Sequence, residues 1–370
     1  MNMNGSQRAF FELLQAGLWE KDVTLSDYDK LDFAEVYQLA SEQSIVGLTA
    51  AGIGHIKDVK VPRTATLPFM GVVLQLEQRN KAMNAFIADL TRELQSAGIE
   101  FLLVKGQGIA QCYEKPLWRA CGDVDLLLDA SNYERAKKLL MLRATSIEEE
   151  DKKRLHLGLT IDSWVVELHG TLHTRQMPNI NKLVDSVQDD VFERHQFRTW
   201  KNGLTDVLLP SPDADVIFVF THILQHFFGG GIGLRQICDW CRLLWTYRES
   251  IDNQLLETRL RTGGLLTEWK AFAALAVEWL GMPLEAMPLY EPSGRWSGKA
   301  KRILRYVLET GNFGHNRDNS FRQKSFVVRS AVSAWRYTSD TLTHFLVFPL
   351  DSVKVWWRMF LHMWQLIIKQ

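Results

Sequence analysis

The chain has 370 residues, enough for roughly two domains, and its 46% apolar and 23% charged residues are the balance of an ordinary globular protein. Lysine plus arginine equals aspartate plus glutamate at 43 each, so net charge gives no drive toward long nucleic acid or an anionic membrane. The four cysteines (Cys112, Cys121, Cys238, Cys241) are too few for a disulfide framework, Met1–Arg8 lacks an apolar leader core, and no apolar run approaches a spanning helix; a soluble, cytoplasmic protein is expected.

Residues 7 to 56 read as short helices, with helical spacing of apolar residues from Leu31 onward. Pro62 and Pro68 mark a link. From Met70 to Ala97 the spacing of Val73, Leu76, Met83, Phe86, Ile87, Leu90 and Leu94 predicts a long amphipathic helix stopped at Gly98. The largely apolar run Ile99–Val104 suits a buried strand. Lys105 to Gly108 turn the chain, Ile109 to Tyr113 start a helix, and Asp123–Leu128 is a second strand. Ser131, with Glu134 three residues on, opens a helix to Leu142. Leu155–Ile161 and Trp164–His169 form a hairpin across Asp162-Ser163, although that turn is not of the preferred Asn-Gly type. Beyond Pro210 the pattern is helical: Ser211-Pro212-Asp213 starts a helix, Gly229 to Gly231 break it, and Leu234 to Tyr247 restart it. Further helices are expected over 252–262, 265–280, 299–310, 321–347 and 351–368.

The Gly122-Asp123-Val124-Asp125 stretch carries the chemistry. Residues two apart on a strand project to one side, roughly 6.6 Å apart. Asp123 and Asp125 therefore face the same way, and two close carboxylates repel each other and lose hydration unless a cation offsets them. Mg²⁺ (or Mn²⁺) is the natural offset, because such ions take oxygen ligands and bridge carboxylates to substrate phosphates. A third acid is wanted from a neighbouring strand, and Glu167 is the candidate. The turn at Gly106 and Gln107, leading into a helix, suits the approach of a phosphate chain, with Lys105 and Arg119 as nearby cations.

The run Phe101 to Gly106, Tyr113, Arg119 and Gly122 to Leu128 resembles the DNA polymerase β-type nucleotidyltransferase superfamily, and more narrowly a bacterial family of uncharacterised nucleotidyltransferases. Later features of that family are also present: Glu167-Leu168-His169, His222 with His226, Gly233-Leu234-Arg235 leading to Asp239, and Gly311 to Gly314. The likeness spans most of residues 70 to 350. Gln107 departs from the superfamily, where Gly or Ser follows the turn glycine, and the segment from Gly106 to Asp123 is long. The resemblance implies Asp123, Asp125 and Glu167 as metal ligands and catalytic acids. Lys105, Gly106, Gln107 and Arg119 are the expected nucleotide-binding residues, and His169, His222 and Arg235 are placed on the acceptor side.

Several features have plainer readings. His169 with His173, and His222 with His226, are four apart and suit one helix face, yet neither carries the His-Glu-x-x-His pattern, so satisfied interior histidines are expected. Cys238 and Cys241 read as small buried residues. Arg235 and Asp239 suit an i, i+4 pair. The aromatic tail, with Trp356, Trp357, Trp364, Lys354, Arg358 and Lys369, reads as a helix docked on the body more readily than as a membrane-surface helix.

The resulting expectation is an α/β (α+β) fold, a small mixed-sheet nucleotidyltransferase core embedded in a larger helical body. It divides into an N-terminal helical segment (1–69), the core (70–209) and a C-terminal helical domain (210–370). The expected activity is Mg²⁺-dependent transfer of a nucleoside monophosphate from a nucleoside triphosphate such as ATP to an unidentified hydroxyl acceptor, with pyrophosphate release. The alternative is a catalytically inactive nucleotide-binding regulator of the same fold. No long nucleic acid is expected as partner.

Overall fold

A computed structural model describes residues 3–28, 31–174, 177–317 and 325–368. Three short helices come first: α1 (Gly5–Trp19), α2 (Phe33–Glu42) and α3 (Val46–Ile53). Asn4 caps α1 in a reciprocal capping box with Gln7, and Asp32 caps α2. Helices α1 and α3 cross at Gly17 and Gly52, where an added Cβ would lie 2.1 Å from the Leu48 carbonyl and 1.9 Å from the Leu13 carbonyl, so only glycine permits this approach.

The long amphipathic helix α4 (Arg63–Ser96) begins seven residues earlier than its apolar spacing indicates, with Pro68 inside it rather than in a linker. Pro68 is the sixth residue of the helix, in its second turn, where it removes the one amide that would pair with the Thr64 carbonyl. Gly98, at φ +65, ends the segment as expected.

Then follow β1 (Leu102–Val104), α5 (Gly106–Ala110), β2 (Val124–Leu127), α6 (Ala130–Leu140), β3 (Ser146–Ile147), β4 (His156–Ile161) and β5 (Trp164–His169). Asp129, not Ser131, caps α6 by accepting from the Asn132 amide at 2.9 Å. The hairpin turn works because Asp162 and Ser163 both take positive φ, +48 and +71, as the twist of a two-residue hairpin demands.

The five strands run in the order β1-β2-β5-β4-β3, with β2 and β5 parallel and the other neighbours antiparallel. Two elements absent from the sequence reading come next: α7 (Pro178–Glu193) and a second hairpin of β6 (Phe197–Asn202) and β7 (Thr205–Pro210). Its signal is Asn202-Gly203, with Gly203 at φ +62 in the turn.

The rest is helical: α8 (Pro212–Gly229), α9 (Leu234–Thr246), α10 (Asn253–Gly263), α11 (Leu266–Leu280), α12 (Gly294–Thr310), α13 (Phe326–Phe345) and α14 (Pro349–Ile368). The expected start of the helix over 321–347 falls partly on 321–324, outside the described residues, as does Lys369. The tail docks through Val347, Phe348, Ser352 and Val355, while Leu350, Val353 and Trp357 stay exposed. Among the described residues no helix is long and apolar enough to cross a membrane.

The sheet separates two kinds of surroundings. Val124, Leu126, Leu128, Val166 and Leu168, with Leu157, Leu159 and Ile161, pack against Phe86, Ile87, Leu90 and Leu94 of α4 and Tyr133 and Leu140 of α6. On the opposite face Leu102, Val104 and Leu127 join the core of the helical body, which centres on Phe220, Trp240, Trp269 and Phe272. The fold is therefore α+β with a dominant helical body. The period-two alternation of β2 and β5 decides which side chains meet α8 and α9.

Candidate functional site

Those side chains are polar. Register sets Asp125 beside Glu167 on parallel strands β2 and β5, and His156 opposite His169 on β4 and β5. With Asp123 just before β2, they floor a cavity of about 480 Å³. Its walls come from Lys105 and Gly106, from Arg154 and Thr171 to His173, and from Thr221, His222, Gln225 and His226 of α8 with Arg235 and Asp239 of α9.

Lys105 stands at the junction of β1 and α5 with φ 57 and ψ −146, a backbone conformation nearly restricted to glycine. Gly106 follows at φ +40, its Cα close to the Asp123 carbonyl, where an added Cβ would sit 3.3 Å away. This bend turns the Lys105 ammonium onto Asp125 Oδ1 at 2.7 Å. His169 Nε2 lies 2.9 Å from the same oxygen and 3.3 Å from Glu167 Oε2.

Charge in the floor is unevenly compensated. Asp125 is buried, which by itself would raise its pKa, but Lys105 and His169 outweigh that and hold the carboxyl below its usual range. Hydrogen bonds from His156 and His169 hold Glu167 low despite burial. Burial works against the charged His169, yet its bonds to Asp125 and Glu167 keep its pKa above that of an ordinary imidazole. Asp123 behaves oppositely. It is the exposed member of the floor, but its surroundings strip part of its hydration, and Asp125 and Glu167 repel its charge, so its pKa is raised. Among the described residues no side chain hydrogen-bonds to it or pairs with it.

Of the expected phosphate-binding residues, Lys105 and Gly106 line the cavity. Gln107 does not: its side chain is 1% exposed and donates to Asn80 Oδ1 on α4 at 2.8 Å, away from the cavity. Arg119 reaches the wall but is committed elsewhere. Its Nε and Nη2 grip both oxygens of Asp239 at 2.9 and 2.5 Å, and Tyr113 donates to Asp239 at 2.8 Å. Asn80 fixes the loop behind it by donating to the Leu117 and Arg119 carbonyls, each at 2.8 Å.

Arg119, rather than Arg235, is thus the partner of Asp239. Arg235 donates to the Ala120 carbonyl at 3.0 Å, lies 5.8 Å from the Phe313 ring, and has a buried Nε without a hydrogen bond. Burial and the nearby Arg119 lower its pKa.

His222 and His226 do share a helix face, with rings 4.4 Å apart. Burial and the Lys105 charge push both pKa values down, His226 to about 4, so they stand neutral at neutral pH. His169 and His173 share no helix: His169 ends β5, and His173 pairs with Asp185 of α7. Cys238 and Cys241 are buried free thiols.

His156 was not singled out by the sequence reading, which follows acids and i, i+4 histidines. Counting outward from the Asp162-Ser163 turn brings it opposite His169. His156, Glu167 and His169 each offer a ligand atom within 4.8 Å of the others.

A protein-family model described as an uncharacterised nucleotidyltransferase matches residues 29–281. The chain belongs to that family. The match takes in the whole cavity floor and the α8–α9 wall but stops short of Gly311 to Gly314. No curated protein and no solved structure matches the chain significantly.

Proposed function

We propose that this member of the uncharacterised nucleotidyltransferase family transfers a nucleoside monophosphate from a nucleoside triphosphate to a hydroxyl acceptor, with Asp123, Asp125 and Glu167 holding Mg²⁺ or Mn²⁺. The observation that carries this reading is the excess of negative charge at the floor of an open cavity. Lys105 and His169 both contact Asp125, while the ionisation of exposed Asp123 is opposed by lost hydration and by both neighbouring acids. That donor set of carboxylate oxygens fits a hard divalent ion. When bound, such an ion would neutralise phosphate charge and steady the attacking and leaving oxygens.

The chain's own part is positioning. Lys105, held by its turn at the cavity edge, is placed to share its charge between Asp125 and a phosphate oxygen. Gly106 lets the chain pass close to the nucleotide tail without a side chain in the way. Arg235, the wall cation with an unused Nε, is the second phosphate contact, whereas Arg119 acts as a strut. The acceptor oxygen attacks the α-phosphorus, its proton passing to a carboxylate of the cluster. The bond from the α-phosphorus to the bridging oxygen breaks, and pyrophosphate leaves with the electron pair. Neutral His222 and His226 form an uncharged wall suited to a sugar, metabolite, peptide or protein hydroxyl.

The experiment is a screen of α-³²P-labelled nucleoside triphosphates with Mg²⁺ or Mn²⁺ against bacterial extract. Wild-type protein should transfer label and release pyrophosphate, and the Asp123→Asn/Asp125→Asn variant should not. Equal labelling by the two proteins rules out this assignment.

A further inference from the structure

The acids do not stand alone on their face of the sheet. Two imidazoles converge on Glu167: His156 Nε2 and His169 Nε2 each lie 3.3 Å from the same oxygen, Oε2. Ligands bound to one ion at about 2.0–2.2 Å in a tetrahedral site are separated by roughly 3.3–3.6 Å. The two histidine-to-Glu167 spacings match that edge length, and all three ligand atoms lie within 4.8 Å of one another. Asp125 Oδ1, 2.9 Å from His169 Nε2, adds an oxygen beside them. All four residues sit on adjacent paired strands, so the backbone ladder fixes their positions and little has to be ordered around an ion. The group opens on the cavity, with the His156 and Glu167 side chains 24% and 30% exposed.

Two imidazoles sharing one carboxylate oxygen make poor use of either as a counter-ion. When the Nε2 protons that bridge the two rings to Glu167 are released, the same geometry becomes a donor set of two nitrogens and two oxygens. Mg²⁺ takes oxygen and disfavours such a set, whereas imidazole suits the borderline divalent transition ions. We propose that His156, Glu167 and His169, with Asp125 alongside, bind a transition ion of the Mn²⁺-to-Zn²⁺ series at a mixed nitrogen–oxygen site. It lies next to the all-oxygen position at Asp123. The site shares Asp125 and Glu167 with the transfer reading but does not depend on it, because binding the ion requires no nucleotide.

The test uses the full chain, stripped with a chelator and titrated with Co²⁺. One Co²⁺ per chain is expected, with visible d–d bands of a nitrogen-containing site that persist in equimolar Mg²⁺. Loss of an outer-shell partner alone costs about 10–100-fold in metal affinity. His156→Ala and His169→Ala, checked for native circular dichroism, should therefore each weaken Co²⁺ binding on the order of 100-fold. Pulsed electron paramagnetic resonance of Mn²⁺ on the unaltered protein should show imidazole ¹⁴N coupling, a readout that needs no variant. Displacement of Co²⁺ by equimolar Mg²⁺, absence of ¹⁴N coupling, or unchanged binding in folded histidine variants would overturn the site. Any of these results alongside intact Asp123-dependent labelling would remove this site and leave the transfer reading standing. Nitrogen-ligated metal without any labelling would do the reverse.

Discussion

Lys105 holds the most constrained backbone at the cavity. A side chain at φ 57 and ψ −146 costs about 1–3 kcal/mol, and strain of that kind persists where the surroundings over-determine it. Lys105→Ala and Lys105→Gly both delete the ammonium that Asp125 relies on, so the difference between them isolates the backbone. Glycine should be the more stable of the two by about 1 kcal/mol or more in urea unfolding. Equal midpoints would mean that the turn is relaxed. Arg119 offers a second discrimination. As the bidentate partner of buried Asp239, its loss in Arg119→Ala should destabilise the fold by about 3–5 kcal/mol, and Asp239→Asn introduced on top should restore part of that. A variant that kept full stability and lost only nucleotide affinity would return Arg119 to the role of phosphate ligand.

At the scale of elements, the hairpin β4–β5 and helix α14 each make a measurable claim. Ser163 sits at φ +71 in a two-residue turn, so Ser163→Gly should stabilise the protein by about 0.5–1 kcal/mol in thermal or urea unfolding; a loss would mean that the serine hydroxyl matters more than the backbone. Helix α14 is joined to α11 by two acids. Glu268 is 1% exposed, and burial followed by repulsion from Asp351 pushes its pKa up to about 8. An acid whose folded pKa exceeds its unfolded value of 4.5 gives stability that is complete below that value and is lost as pH rises toward 8. The melting temperature should accordingly fall between pH 5 and about 8, and Glu268→Gln should flatten that slope. A slope unchanged in the variant would place the titration elsewhere.

Elements were legible where periodicity was strong. The spacing of Val73 to Leu94 reveals α4, and the alternation Val124-Asp125-Leu126 reveals β2. Strand β6 is hidden because Phe197 to Asn202 is half exposed and includes Arg198, Lys201 and Asn202, which blur its alternation. His156 is hidden for a different reason: its importance lies in cross-strand register, which one strand alone does not display. The fate of Arg119 is likewise tertiary, since its partner Asp239 lies 120 residues away on α9.

For the whole molecule, the decisive arrangement is a sheet with one greasy face against α4 and α6 and one acidic face against α8 and α9. A nucleotide bound there with its metal should stabilise the entire chain. At a hundred times its Kd the gain is about 2.7 kcal/mol, read as a rise in melting temperature that Asp123→Asn should abolish. A rise of equal size in that variant would locate the nucleotide away from the acids.

The Arg119–Asp239 clasp has a consequence for the cavity. It rivets the loop leading into the acidic strand to the helix that forms the far wall, with Asn80 and Tyr113 locking the rivet. At that end of the slot, the separation between loop and helix rests on a single buried ion pair and its two supports.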